Sequence, residues 1–148
     1  MPGSGIAELD VLVVDDDEGD VLMITEALES SRHRHIIQIA PDGEQAVALL
    51  RRLSDNGSRL PDVILLDLNM PRMNGHQVLQ VIKNDDRFRR IPVVVLTTSN
   101  APTDIVGSYD RHANAYVTKP MTMEEFIAVV GEIDNFFGSI VELPRDTP

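Results

Sequence analysis

The chain has 148 residues, with 24 acidic against 13 basic side chains for a formal net charge of −11, and it contains no cysteine. That length suits one domain with a sizeable core, while the lack of thiols excludes disulfides, thiolate metal sites and cysteine nucleophiles. The acidity argues against direct binding to nucleic acid or to an anionic membrane.

No apolar run approaches the ~20 residues of a spanning helix. Met1–Gly5 has neither the basic segment nor the apolar core of a secretory signal, so the cytoplasm is the expected compartment. The basic groups Arg32-His33-Arg34-His35, Arg51-Arg52 and Arg87-Phe88-Arg89-Arg90 read as solvated ends of elements.

Val11–Val14 is a short apolar run, mostly β-branched, and predicts a buried strand. It ends in Asp15-Asp16-Asp17-Glu18. Val21, Ile24, Thr25 and Leu28 then recur at helical spacing, and Ile36–Ile39 reads as a second strand. Pro41-Asp42-Gly43 is a turn before a helix carrying Ala46, Val47, Leu49, Leu50 and Leu53. Asp55-Asn56-Gly57-Ser58 breaks it.

Val63–Leu66 predicts a third strand, with Asp67 where it runs out and Pro71 preventing further pairing. Asn74-Gly75 is turn chemistry before a helix over Val78–Ile82. A fourth strand is expected over Ile91–Leu96, with Pro92 tolerable only near its start. Thr103–Arg111 is a weak helix interrupted by Gly107, and Ala115–Val117 a short fifth strand ending in Thr118-Lys119-Pro120.

The last helix starts at Thr122, with Glu125 three residues on as a capping box. Phe126, Val130, Ile133, Phe137 and Ile140 form its apolar stripe. Ile127 and Phe136 widen that stripe, as either deep burial or a partner surface would require. Pro144 ends the structure. Strands alternating with helices imply an α/β fold with a parallel sheet covered on both faces.

In such a sheet the carboxyl ends of the strands share one edge, where open α/β sheets place their ligands. Asp15 and Asp16, Asp67, Thr97 and Lys119 therefore converge. Clustered carboxylates repel, which raises at least one pKa. A hard divalent cation relieves the conflict, and an all-oxygen ligand set suits Mg2+ or Mn2+. Such a cation together with the Lys119 ammonium would neutralise a phosphoryl group, with Asp67 as carboxylate nucleophile. The four histidines, His33, His35, His76 and His112, show no metal spacing and read as surface residues.

Val13-Val14-Asp15-Asp16, Leu66-Asp67-Leu68-Asn69-Met70-Pro71 with Asn74-Gly75, Leu96-Thr97 and Tyr116-Val117-Thr118-Lys119-Pro120 together resemble the receiver domain of two-component response regulators. The resemblance runs from about Leu9 to Phe137. It implies a CheY-like, flavodoxin-like (βα)5 doubly wound sheet of order 2-1-3-4-5, forming one domain over residues 7–143 with flexible tails at 1–6 and 144–148. It also implies a phospho-acceptor at Asp67, supplied by a sensor histidine kinase or phosphotransfer protein.

By the same resemblance Asp16 ligates Mg2+ directly, Asp15 does so through water, and the Asn69 backbone carbonyl completes the protein ligands. Lys119 pairs with the phosphate, Thr97 swings onto a phosphate oxygen, and Tyr116 turns inward. Lys119-Pro120 is expected as a cis peptide. Thr98 is bulkier than the residue often found there and narrows access to the phosphate. Asp17 is expected outside the metal shell.

The segment Asp55–Pro61, the stretch Ser108–Tyr116 and the final helix resemble a narrower group: stand-alone regulators of bacterial phytochrome-type kinases. Several of these dimerise, which suggests a homodimer through the fourth helix, fifth strand and fifth helix. Two alternatives compete with a signalling switch. A metal-dependent aspartyl phosphatase usually carries a second acid two residues beyond the nucleophile, where this chain has Asn69. An inactive adaptor would leave the acid cluster without a role.

Overall fold

The structure is a computed structural model and describes residues 8–31, 33–140 and 142–143. Arg32 and both tails therefore lie outside the described residues, as do Pro144 and the side chain of Ile140. Five strands, β1 (Leu9–Val14), β2 (His35–Ala40), β3 (Val63–Leu66), β4 (Val93–Thr97) and β5 (Ala115–Thr118), alternate with five helices. These are α1 (Glu18–Glu29), α2 (Gly43–Asp55), α3 (Gly75–Asn84), α4 (Pro102–Asp110) and α5 (Met123–Asn135), and a π-helical turn follows over Phe136–Ile140. All strand pairs are parallel, in the order β2-β1-β3-β4-β5.

The inner strands are apolar apart from Asp10 in β1 and Thr97 at the end of β4, because alternate side chains feed two cores. Leu12, Val14, Ile64, Leu66, Val93 and Val95 face one side, against Leu50, Val78, Leu79, Ile82 and Phe88. Val11, Val13, Val63, Leu65, Val94 and Leu96 face the other, against Ile24, Leu28, Phe126 and Val130. Each such side chain, nearly all of it out of water, contributes about 1.5–3 kcal/mol. An inner strand of this sheet thus has no solvent-facing side, and its register fixes what stands at its end.

The starts of α1, α2, α3 and α5 are set by side-chain caps. Asp17, Asp42 and Thr122 accept hydrogen bonds from the backbone N–H of Asp20, Gln45 and Glu125. The reciprocal capping box belongs to α3, where Asn74 and Gln77 bond each other's backbone N–H. The expected box at Thr122 is present only in its threonine half. Strand β4 starts at Val93, two residues later than expected. Pro92 has no amide to give, so its carbonyl receives Ile64 N–H while Asn114 Oδ1 caps Val93 N–H.

Among the described residues no peptide bond is cis, so Lys119–Pro120 is trans, contrary to expectation. Trans is the lower-energy isomer before proline, and with it the Lys119 ammonium already reaches the acid cluster.

Candidate phosphoryl-transfer site

At the carboxyl edge of the sheet, the last residues of β1, β3 and β5 open into loops that carry Asp15, Asp67 and Lys119. All three side chains are buried, each 6% exposed or less. Main-chain bonds fix the loops: Asp15 N–H donates to Ala40 O, Asp67 N–H to Val14 O and Lys119 N–H to Thr97 O. The Lys119 ammonium donates to Asp15 Oδ2 at 2.8 Å, Asp20 Oδ2 at 2.7 Å and Asp67 Oδ2 at 3.4 Å. Asp67 Oδ1 also accepts from Asn69 N–H at 3.2 Å.

Electrostatics follow from that burial. Desolvation pushes the Asp15 carboxyl up to about 6, against the pull of Lys119 and the Asp17 amide, and Asp67 adds a smaller push. The raised acid was expected from repulsion, whereas loss of water is the larger cause. Burial also pulls Lys119 down, but hydrogen bonds to Asp15 and Asp20 outweigh it and hold the ammonium above its ordinary value. We take the lysine as fully charged and Asp15 as the strained partner, since one ammonium is shared among three carboxylates.

Asp15, Asp16 and Asp67 present carboxylate oxygens that lie within 4.8 Å of one another. Asp16 is exposed, so the cluster opens to solvent on one side. Three hard oxygen donors, one of them poorly satisfied as an anion, fit a divalent cation of the Mg2+ or Mn2+ kind. Asp17 is turned away from it and caps α1 at Asp20 N–H.

The residues expected to act as the switch lie at the end of β4, just after it and on β5. Thr97 is fully buried, with Asn69 Nδ2 and Ser99 N–H as long donors to its hydroxyl at 3.5 Å. Thr98 is exposed. Tyr116 is half-buried and its hydroxyl donates to Ser99 O at 2.8 Å, tying β5 to the loop after β4.

Two features escaped the sequence reading. Asp20, one turn into α1, is a full partner of Lys119, and only its spacing from Asp16 hinted at this. Histidines 33, 35 and 76 are not free surface residues. His33 and His35 pair with Asp134, and His76 pairs with Asp104.

A family model described as "Response regulator receiver domain" matches residues 11–131. The chain belongs to that family. Response regulator Rcp1 of Synechocystis sp. is 38% identical over 135 residues, spanning 90% of this chain and 92% of that protein. The crystal structure of the phosphorylated cyanobacterial phytochrome response regulator RcpA superposes with a TM-score of 0.88 at 41% identity, covering 93% of this chain and 99% of that one. The Mn(2+)-bound form of Rcp1 superposes at 0.85 and 38% identity, covering 92% and 99%.

This response regulator therefore has the CheY-like fold and strand order that its motifs implied. Receiver domains are signalling switches that work with histidine kinases or phosphotransfer proteins, and they bind Mg2+ or Mn2+ at an acidic pocket. No described helix of this chain is long and apolar enough to cross a membrane.

Proposed function

We propose that this receiver, taken as one unit over residues 7–143, accepts a phosphoryl group on Asp67. The reading is carried by one juxtaposition: the Asp67 carboxylate lies within reach of both the acid pair and the Lys119 ammonium. An Asp67 oxygen attacks phosphorus, forming an acyl phosphate as the bond to the donor's imidazole nitrogen breaks. Asp15, Asp16, Asp67 and the Asn69 carbonyl would hold Mg2+ or Mn2+, which when bound neutralises charge on the transferring oxygens. Lys119 supplies the resident positive charge.

The acyl phosphate then offers Thr97 a new acceptor. Its hydroxyl, held now by two long contacts, moves to a phosphate oxygen. Thr98 borders the entrance. Tyr116 gives up Ser99 O and turns into the space that Thr97 leaves, so the loop and α4 shift together.

The likeness to the phytochrome response regulator RcpA supports a phytochrome-type sensor histidine kinase as donor, and a cytoplasmic location goes with that reading. Large apolar side chains stand exposed on α4 (Val106, Tyr109), before and at the start of α5 (Met121, Met123) and at its end (Phe136). They support a homodimer through α4, β5 and α5. Sedimentation with and without phosphodonor, on wild type and Tyr109→Glu, tests that dimer.

Incubation with acetyl phosphate and Mg2+, read by intact mass, tests the acceptor. One phosphoryl group should be gained by wild type and none by Asp67→Asn. Labelling that survives the substitution overturns the assignment.

A further inference from the structure

At the opposite edge of the sheet a second cluster joins the entry of β2 to the end of α5. His33 Nδ1 lies 3.2 Å from Asp134 Oδ2, and His35 Nε2 lies 2.5 Å from Asp134 Oδ1. The ligating atoms of the three residues fall within 4.8 Å of one another. In the sheet register His35 pairs with Leu9, at the start of β1, whereas the phosphoryl site follows Val14 at its end. Five residues at ~3.3 Å each separate the two by roughly 17 Å.

We propose that His33, His35 and Asp134 form a binding site for a borderline divalent cation of the Zn2+ type. Three observations point there. First, two imidazole nitrogens and one carboxylate oxygen are the donor set that Zn2+, Co2+ and Ni2+ prefer and that Mg2+ does not.

Second, Asp134 is a carboxylate 3% exposed, whose described ion pairs are with these two imidazoles. Burial raises its carboxyl, but hydrogen bonds from Ser31, His35 and His33 outweigh that and hold it below its ordinary value, so it is an anion ready to ligate a dication.

Third, the outer shell of a metal-bound histidine is already in place. His33 turns Nδ1 to Asp134 while its Nε2 meets Ser139 Oγ at 2.5 Å, the second hydrogen bond that orients a ligating imidazole. Gly138 makes room for that ring, since a Cβ there would lie 2.8 Å from it.

Binding replaces any protons the ring nitrogens share with Asp134 and releases them to solvent. Three protein ligands leave a fourth position for water. The ion would tie the last turn of α5 to edge strand β2, remote from the Mg2+ pocket but on the helix whose face we assign to dimerisation.

The test uses the full chain with the acidic pocket held in excess Mg2+. Co2+, as a paramagnetic stand-in for Zn2+, is titrated in and histidine ring resonances are followed by NMR. Hyperfine-shifted imidazole signals from two histidines, displaced by one equivalent of Zn2+, are expected. They should be lost in His35→Ala and in His33→Ala. Zn2+ should raise the Tm of wild type and leave that of His33→Ala unmoved.

His33 is the more exposed ligand, so that variant decides the matter should His35→Ala fail to fold. Shifts confined to the surroundings of Asp15 and Asp67, or an equal Tm gain in His33→Ala, overturn the site.

Discussion

The Lys119 ammonium lies 2.7 Å from Asp20 on α1 but 3.4 Å from Asp67, the proposed acceptor. The positive charge of the site is thus held towards α1, and Asp20 neutralises part of what would otherwise repel an incoming cation. In Asp20→Asn that compensation is lost, and Mg2+ affinity should fall roughly fivefold (~1 kcal/mol), a modest loss because the pocket is open to water. Phosphorylation at saturating Mg2+ should persist. Calorimetric titration of Mg2+ checks this, and an unchanged affinity would show Asp20 to be a purely structural anchor.

The loop bearing Asp67 depends on Gly75 for space, not for an unusual dihedral angle. A Cβ at Gly75 would stand 2.4 Å from Asp67 O and 2.6 Å from Leu68 Cα, both backbone atoms that cannot rotate away. Gly75→Ala should cost ~2–3 kcal/mol by overpacking and weaken Mg2+ binding, because the displaced loop carries Asp67 and Asn69. Gly131→Ala is the control. Its Cβ meets nothing within 4 Å inside α5, so that change should be neutral or stabilise by up to ~1 kcal/mol. Urea unfolding of both separates crowding from helix propensity.

The contrast between what was legible in the sequence and what was not has a physical basis. Runs such as Val63–Leu66 announce themselves because a strand buried on both faces has no polar position, and the residue that ends it is then placed by topology. Asp20 could not be read that way, since it lies just before the apolar stripe of α1 and only the folded geometry turns it towards Lys119. His33 and His35 were misread because their partner, Asp134, lies 101 and 99 residues away. No local spacing encodes such a contact. The α3 capping box hid inside Asn74-Gly75, whose turn chemistry masked the Asn74–Gln77 pair.

Burial raises Asp15 to about 6, so the folded chain binds that proton more tightly than the unfolded chain, whose carboxyl titrates near 3.8. Between those values the native state holds the Asp15 proton and the unfolded chain does not, so the contribution of Asp15 to stability without metal falls as pH rises from about 4 to about 6. That fall runs against the rise from Asp42, Asp85, Asp104 and Asp134, whose carboxyls are held below their ordinary value. Asp15→Asn removes the buried charge while keeping an acceptor for Lys119. It should raise metal-free stability at neutral pH by ~1–3 kcal/mol and flatten that part of the pH profile. The same change should weaken Mg2+ binding and so remove the stabilisation Mg2+ gives wild type by mass action. Unfolding curves in chelator at several pH values decide it; a stability difference between Asp15→Asn and wild type that does not widen from pH 4 to 6 would contradict the assigned strain.

Helix α4 is held by little. Ala101 gives it no side-chain cap, and Ser108 is its one buried residue. Gly107 lies in its interior, a cost of about 1 kcal/mol relative to alanine. Its tether is Asp104, which accepts from Ser99 Oγ at 2.6 Å and pairs with His76 Nε2 at 2.9 Å. Ser99 in turn receives the Tyr116 hydroxyl on its carbonyl. The helix should therefore open locally more often than the other four, and its amides should exchange fastest among the five helices. Asp104→Ala cuts both tethers at once. It should speed exchange in α4 by a further ~5–10-fold, as expected for about 1 kcal/mol of lost hydrogen bonding, and leave α1 and α5 unchanged. Hydrogen exchange read by mass spectrometry measures this directly. If exchange in α4 were as slow as in α5, or indifferent to Asp104, the helix would be too rigid to relay a change at Thr97, and the signal would have to leave through another face.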